Sequence, residues 1–102
     1  MKKLLLLICF CFISFSYAQE SAAKGEIAGF KLYPNPVTQG KVNIITTADA
    51  PKKVLIYDVL GTRVLETTIL GSELNLSDLD AGIYVIRVFE KDNVATRKLI
   101  VK

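Results

Sequence analysis

Between Phe30 and Lys102, apolar residues come only in short runs broken at close intervals by proline, glycine, asparagine, aspartate or serine. No stretch sustains a 3.6-residue period. That pattern confines the segment to an all-β architecture, a sandwich or a barrel of short strands. Strands are predicted at about 30–33, 41–46, 53–59, 62–69, 73–76, 83–90 and 94–101.

The alternation within each run assigns its faces. In KVNII, Val42 and Ile44 share one side and Lys41 and Asn43 the other, so one face is wet. KVLIYDV carries Val54 and Ile56 on one side and Leu55 and Tyr57 on the other, the mark of a central strand. GIYVIRVFE repeats this, with Tyr84, Ile86 and Val88 opposed to Ile83, Val85, Arg87 and Phe89. The run ending at Lys102 places Leu99 and Val101 opposite Ile100. Tyr57 and Tyr84 are expected as core aromatics with the hydroxyl at the rim.

The punctuation has a physical basis. Asp58-Val59-Leu60-Gly61 offers an aspartate whose carboxylate accepts backbone N–H groups, and a glycine free to take φ > 0, which predicts a tight hairpin. In Ser77–Gly82, Ser77 is expected to cap a helical turn, Gly82 to release it, and Leu79 to plug the end of the sandwich. In Tyr33-Pro34-Asn35-Pro36, each proline biases the preceding residue towards extended backbone and lacks an N–H donor. The four residues are expected to stiffen the chain and blunt a sheet edge.

In front of this segment stand Lys2 and Lys3, an apolar run from Leu4 to Ile13, and small or polar residues through Ala18. The order is that of a cleaved secretory signal peptide, residues 1–18, with the cut between Ala18 and Gln19. The run is shorter than the roughly 20 apolar residues a membrane span requires, so no stable span is expected after processing. Bulky Ile8 and Phe10 before Cys9 and Cys11 do not suit a lipid anchor. Removing residues 1–18 takes both cysteines and two of the 13 basic residues, leaving 84 residues with 11 Lys/Arg against 10 Asp/Glu. Such a balance offers no electrostatic footprint for nucleic acid, and the chain must fold on one small core without disulfides. Residues 19–29, small and charged, are expected as a flexible leader.

Catalytic chemistry has little to work with. There is no histidine, no tryptophan and, after processing, no cysteine, so neither a nucleophile–base pair nor a zinc site can be assembled from the usual groups. Asp78, Asp80 and Gly82 faintly suggest a calcium loop, but Phe89 stands where the bidentate glutamate belongs. No enzyme activity, cofactor or metal is expected.

Taken in order, the motifs are Tyr33-Pro34-Asn35-Pro36, Gly40 with Val42 and Ile44, Val54-x-Ile56-Tyr57-Asp58-x-x-Gly61-x-x-Val64, Leu74-x-Leu76-x-x-Leu79-x-x-Gly82-Ile83-Tyr84, and the closing Arg97-Lys98-Leu99-Ile100-Val101-Lys102. This series resembles the type A C-terminal sorting domain of the Bacteroidetes type IX secretion system, and the resemblance spans residues 30–102. It implies a small immunoglobulin-like antiparallel β-sandwich of about seven strands that serves as an export address, read by the outer-membrane translocon and, in many members, removed by a sortase-like peptidase. The implied signal elements are Tyr33, Pro34, Asn35, Pro36, Tyr57, Asp58, Gly61, Gly82, Tyr84 and Lys98, Leu99, Ile100, Val101 and Lys102. Most are expected to hold the fold. The terminal strand and its lysines are the best candidates for direct contact, through an exposed edge that pairs with a receptor sheet.

The expected route is across the inner membrane, through the periplasm, and on to the cell surface or medium, as a monomer. Because a sorting domain ordinarily follows a passenger and only the leader Gln19–Gly29 precedes this one, the chain is expected to be a free-standing sorting module or a fold retained for another role. The competing reading is an extracellular immunoglobulin- or fibronectin-like binding or adhesion module, which would present an apolar face away from the C-terminal strand.

Overall fold

The computed structural model describes residues 25–102. The expected signal peptide, its cleavage at Ala18–Gln19 and the first part of the leader lie outside the described residues. Seven strands follow one another: β1 (Lys31–Tyr33), β2 (Lys41–Ile45), β3 (Lys52–Asp58), β4 (Arg63–Ile69), β5 (Glu73–Asn75), β6 (Gly82–Glu90) and β7 (Asn93–Val101). Each lies within a residue of its expected bounds. They form two antiparallel sheets, one in the order β1-β2-β5 and one in the order β4-β3-β6-β7. The two sheets face each other as an immunoglobulin-like sandwich.

The core follows from the alternation. Val42 and Ile44 of β2, with Leu74 of β5 and Leu76 just after it, meet Val54 and Ile56 of β3 and Tyr84, Ile86 and Val88 of β6. Ala95, Leu99 and Val101 complete it from β7. Each aliphatic side chain so buried contributes about 1.5–3 kcal/mol relative to exposure. The two strands with apolar residues on both faces, β3 and β6, are the two interior strands of the larger sheet. On the outer face, Leu55 is nonetheless buried; Glu66 and Arg87 flank it in register on either side. Leu79 packs against the core from its loop, as expected.

Two expectations are corrected. Residues 25–29 do not behave as a flexible leader: Ile27 is buried in the core, Gly25 O accepts from Val94 N at 3.0 Å, and Ala28 O accepts from Thr47 N at 3.0 Å. Gly29 adopts φ 67°, and a Cβ there would collide with Thr47 Oγ1, so the close approach to β2 depends on glycine. In the loop before β6, it is Asn75, not Ser77, that organises the turn: its Oδ1 accepts from Ser77 N at 2.8 Å and Ser77 Oγ at 2.6 Å. An asparagine side chain reaches two residues ahead more effectively than the serine expected to cap this turn. Gly82 is already the first residue of β6.

A buried ion pair closes one end of the sandwich, and the alternation gave no sign of it. Lys52, 0% exposed, and Glu90, 3% exposed, approach to 3.3 Å. Glu90 Oε2 also accepts from Thr46 Oγ1 at 2.6 Å and Ala50 N at 3.0 Å, while Lys52 Nζ donates to Ala50 O at 2.7 Å. Burial pushes the Glu90 carboxyl up, but the bonds from Thr46 and Ala50 and the Lys52 ammonium outweigh it and hold it below its ordinary value. Every charge in the cluster is answered, which is the condition for tolerating it there.

Candidate recognition surface

The proline motif forms the crossing from one sheet to the other. After Tyr33 ends β1, Pro34, Asn35 and Pro36 carry the chain over the open side of the sandwich, with cis peptide bonds before both prolines. Val37 arrives fully buried and pairs with Val101 as a parallel bridge. Its N–H donates to Ile100 O at 2.7 Å, and its carbonyl accepts from Lys102 N at 2.8 Å. Asn35 extends the same pairing with its side chain: Nδ2 donates to Lys98 O at 2.7 Å and Oδ1 accepts from Ile100 N at 3.0 Å. A carboxamide carries one donor and one acceptor side by side, as a peptide unit does, so Asn35 acts as a surrogate strand residue. Tyr33, Pro34 and Pro36 are exposed and make no bond of this kind.

This geometry corrects the expected mode of contact. The outward-facing backbone groups of β7 from Lys98 to Lys102 are already bound by Asn35 and Val37, so that edge is closed and cannot pair with a receptor sheet as it stands. Nearer its start, Val94 N is held by Gly25 and Thr96 O accepts from the Arg97 guanidinium at 2.9 Å. Arg97 itself lies over the Phe30 ring at 4.8 Å and pairs with Glu26 at 2.7 Å. What β7 offers to solvent is its side chains. Lys98 and Lys102 are exposed, and no ion pair engages either among the described residues. Leu99 and Val101 point into the core, and Ile100 lies half-buried on the outer face.

The remaining motif residues hold turns and corners. Asp58 Oδ1 accepts from Leu60 N at 2.9 Å and Thr62 N at 3.0 Å, and Asp58 O accepts from Gly61 N at 3.0 Å. Gly61 takes φ 84°, so Asp58 and Gly61 form the expected hairpin between β3 and β4. Tyr84 is buried in the core, and its hydroxyl donates to Asp80 O at 2.6 Å, four residues upstream. That is the tyrosine corner of immunoglobulin-like sandwiches. Gly82 pairs with Val101, and a Cβ there would meet only the Tyr84 ring at ordinary contact distance. Tyr57 departs from expectation. It stands half-buried on the outer face, between Arg63 and Val85 in register, rather than in the core.

The motif residues therefore meet in a structural joint around β7 and in two turns, not in a cleft. No group of three or more metal-ligating side chains is found among the described residues. The secretion system C-terminal sorting domain family matches the chain over residues 31–102. The chain belongs to that family. Its sorting domain is a secretion-targeting module of the type IX system. Among curated proteins, an ulvan lyase of Nonlabens ulvanivorans is 36% identical over 80 residues, covering 74% of this chain and 15% of the lyase. The chain thus spans a small fraction of that relative's length. Among solved structures, PorZ of Porphyromonas gingivalis, described as an essential bacterial surface component of the type IX secretion system, superposes with a TM-score of 0.55. The likeness has 20% identity and covers 72% of this chain and 11% of that one, and it supports the sandwich fold of the sorting domain.

Proposed function

We propose that the folded sandwich is the address itself: it crosses the periplasm as a monomer, the outer-membrane translocon recognises its surface, and export to the cell surface or medium follows without catalysis by this chain. In this reading a sortase-like peptidase can act on the sorting domain after translocation. The observation that carries the reading is the joint described above. Tyr33–Pro36 and Lys98–Lys102, the two ends of the family's motif series, are stitched together by Asn35 and Val37. The family signature thus coincides with what makes β7 a fixed part of the surface. Leu99 and Val101 hold that strand from inside, and Lys98 and Lys102 are left as its outward charge.

The test is export of the chain from a type IX host. Removing Lys98–Lys102 is uninformative, because it also removes two core side chains. Lys98→Glu with Lys102→Glu changes only exposed groups. The double variant is expected to keep its melting temperature and to accumulate in the periplasm. Export at the wild-type level would show that the terminal lysines do not take part.

A further inference from the structure

The face of the larger sheet that points away from the core is not uniformly wet. Among the described residues, seven large apolar side chains are exposed, and five of them gather at one end of this face. Register places them. Arg63, Tyr57, Val85 and Lys98 form one row across β4, β3, β6 and β7. Ile83 and Ile100 pair in the next row towards the end of the sandwich. Val64 sits beside Tyr57 in the bulge that interrupts the β3–β4 register. Val59, 75% exposed, and Leu60, 87% exposed, form the hairpin tip just beyond the pair Asp58–Tyr84. Ile83 is 50% exposed although a shift of one residue would have buried it.

We infer that this end of the outer face is a docking surface for a partner protein that presents an apolar ridge with a carboxylate on the side that meets Lys98. The apolar strip supplies the water-excluding centre of an interface, and a patch of this kind on a small domain marks a binding site. The flanks set the chemistry of the partner. Neither that row nor the Ile83–Ile100 row contains a carboxylate; Arg63 on β4 is already paired with Glu66 at 3.2 Å, whereas Lys98 on β7 has no ion pair among the described residues. Beside these rows a second copy offers only Glu66, already shared between Arg63 and Lys53, whereas an acidic group on a different partner answers Lys98 directly. Leu60 and Val59 project from the tip as anchors of the sort that fill a pocket. The inference rests on the targeting role proposed above and names the surface through which the export machinery engages the domain. The motif series holds Val64 and Ile83 but gives neither a part in contact, and Val59, Leu60 and Val85 stand outside it. The signal that could have found Ile83 and Val85 is the presence of apolar residues on both faces of β6.

The experiment compares export of the full chain with that of Ile83→Ser/Val85→Ser, Leu60→Ser, Lys98→Glu and Lys98→Arg in a type IX host, with melting temperatures measured on the purified proteins. The substitutions at Leu60 and Lys98 alter exposed side chains and are expected to move the melting temperature by no more than about 3 °C; Ile83→Ser/Val85→Ser gives up two half-exposed strand side chains and is expected to melt about 10 °C lower but still cooperatively. Export is expected to fall at least tenfold in Ile83→Ser/Val85→Ser and in Lys98→Glu, to fall in Leu60→Ser, and to survive in Lys98→Arg. Wild-type export with all variants unaffected overturns the docking surface and leaves the targeting role standing. A wild-type chain that is not exported overturns both. Sedimentation equilibrium and co-sedimentation with anionic phospholipid vesicles complete the test. A dimer, or vesicle binding, that the Ile83→Ser/Val85→Ser variant abolishes would assign the face to a second copy or to a lipid surface and overturn the proposal.

Discussion

Asn35 joins the domain's two ends through two hydrogen bonds made by one side chain. Asn35→Ala is expected to cost about 1–2 kcal/mol, since each bond contributes about 0.5–1.5 kcal/mol net and both sites are exposed. Asn35→Asp keeps the acceptor for Ile100 N but sets a carboxylate oxygen against Lys98 O, so it should cost at least as much. Chemical denaturation of the three proteins checks the order. The Lys52–Glu90 pair makes a second residue-scale prediction. Lys52→Met leaves Glu90 buried without its cation, at a cost of about 3–5 kcal/mol. Adding Glu90→Leu recovers only part of this, as Thr46 Oγ1 and Ala50 N then lose their acceptor. Because the folded Glu90 carboxyl lies below its ordinary value of 4.5, its contribution is fully present above that pH. It is lost as pH falls below 4.5 through the folded value. Urea unfolding between pH 7 and 3 should therefore show an acid-side loss of stability that is smaller in the double variant.

At the level of elements, the β3–β4 hairpin isolates one turn's chemistry. Asp58→Ala removes the acceptor of two backbone N–H groups and is expected to cost about 1–2 kcal/mol. Gly61→Ala forces a Cβ into φ 84°, at about 1 kcal/mol. The changes act on the same turn, so the double variant should fall short of their sum, a cycle that thermal melts can measure. All seven strands, the interior placement of β3 and β6 and the Asp58–Gly61 turn were legible in the sequence, because period-2 alternation and turn chemistry are local. Whatever depends on pairing at long range was not. Alternation gives Arg97 and Leu99 the same face, but it does not say that Arg97 turns outward over Phe30. It shows that Tyr57 has apolar neighbours, not that Val54 and Ile56 win the inner face. Lys52 reads as an ordinary charged strand end until Glu90 is seen opposite it. The closed edge of β7 has no local signature, because its partners are the Asn35 side chain, 63 residues from Lys98, and the Val37 backbone.

The molecule as a whole depends on both its ends. Ile27 and Val37 enter the core from one side of the sequence, and Leu99 and Val101 from the other. Loss of Lys98–Lys102 is thus expected to unfold the domain, seen as loss of the cooperative melt, whereas Lys98→Glu with Lys102→Glu should leave that melt intact. A melting temperature independent of protein concentration would support the monomer. There is also a consequence in time. Val37 finds its partner only when Val101 has emerged, so the sandwich closes late and through contacts of high sequence separation, which fold slowly. A chain interrupted anywhere before β7 presents an open sheet with its apolar face in water, not a finished surface. For a receptor that reads the folded domain, the joint between Asn35 and β7 is a mark that exists only once residue 101 has been made.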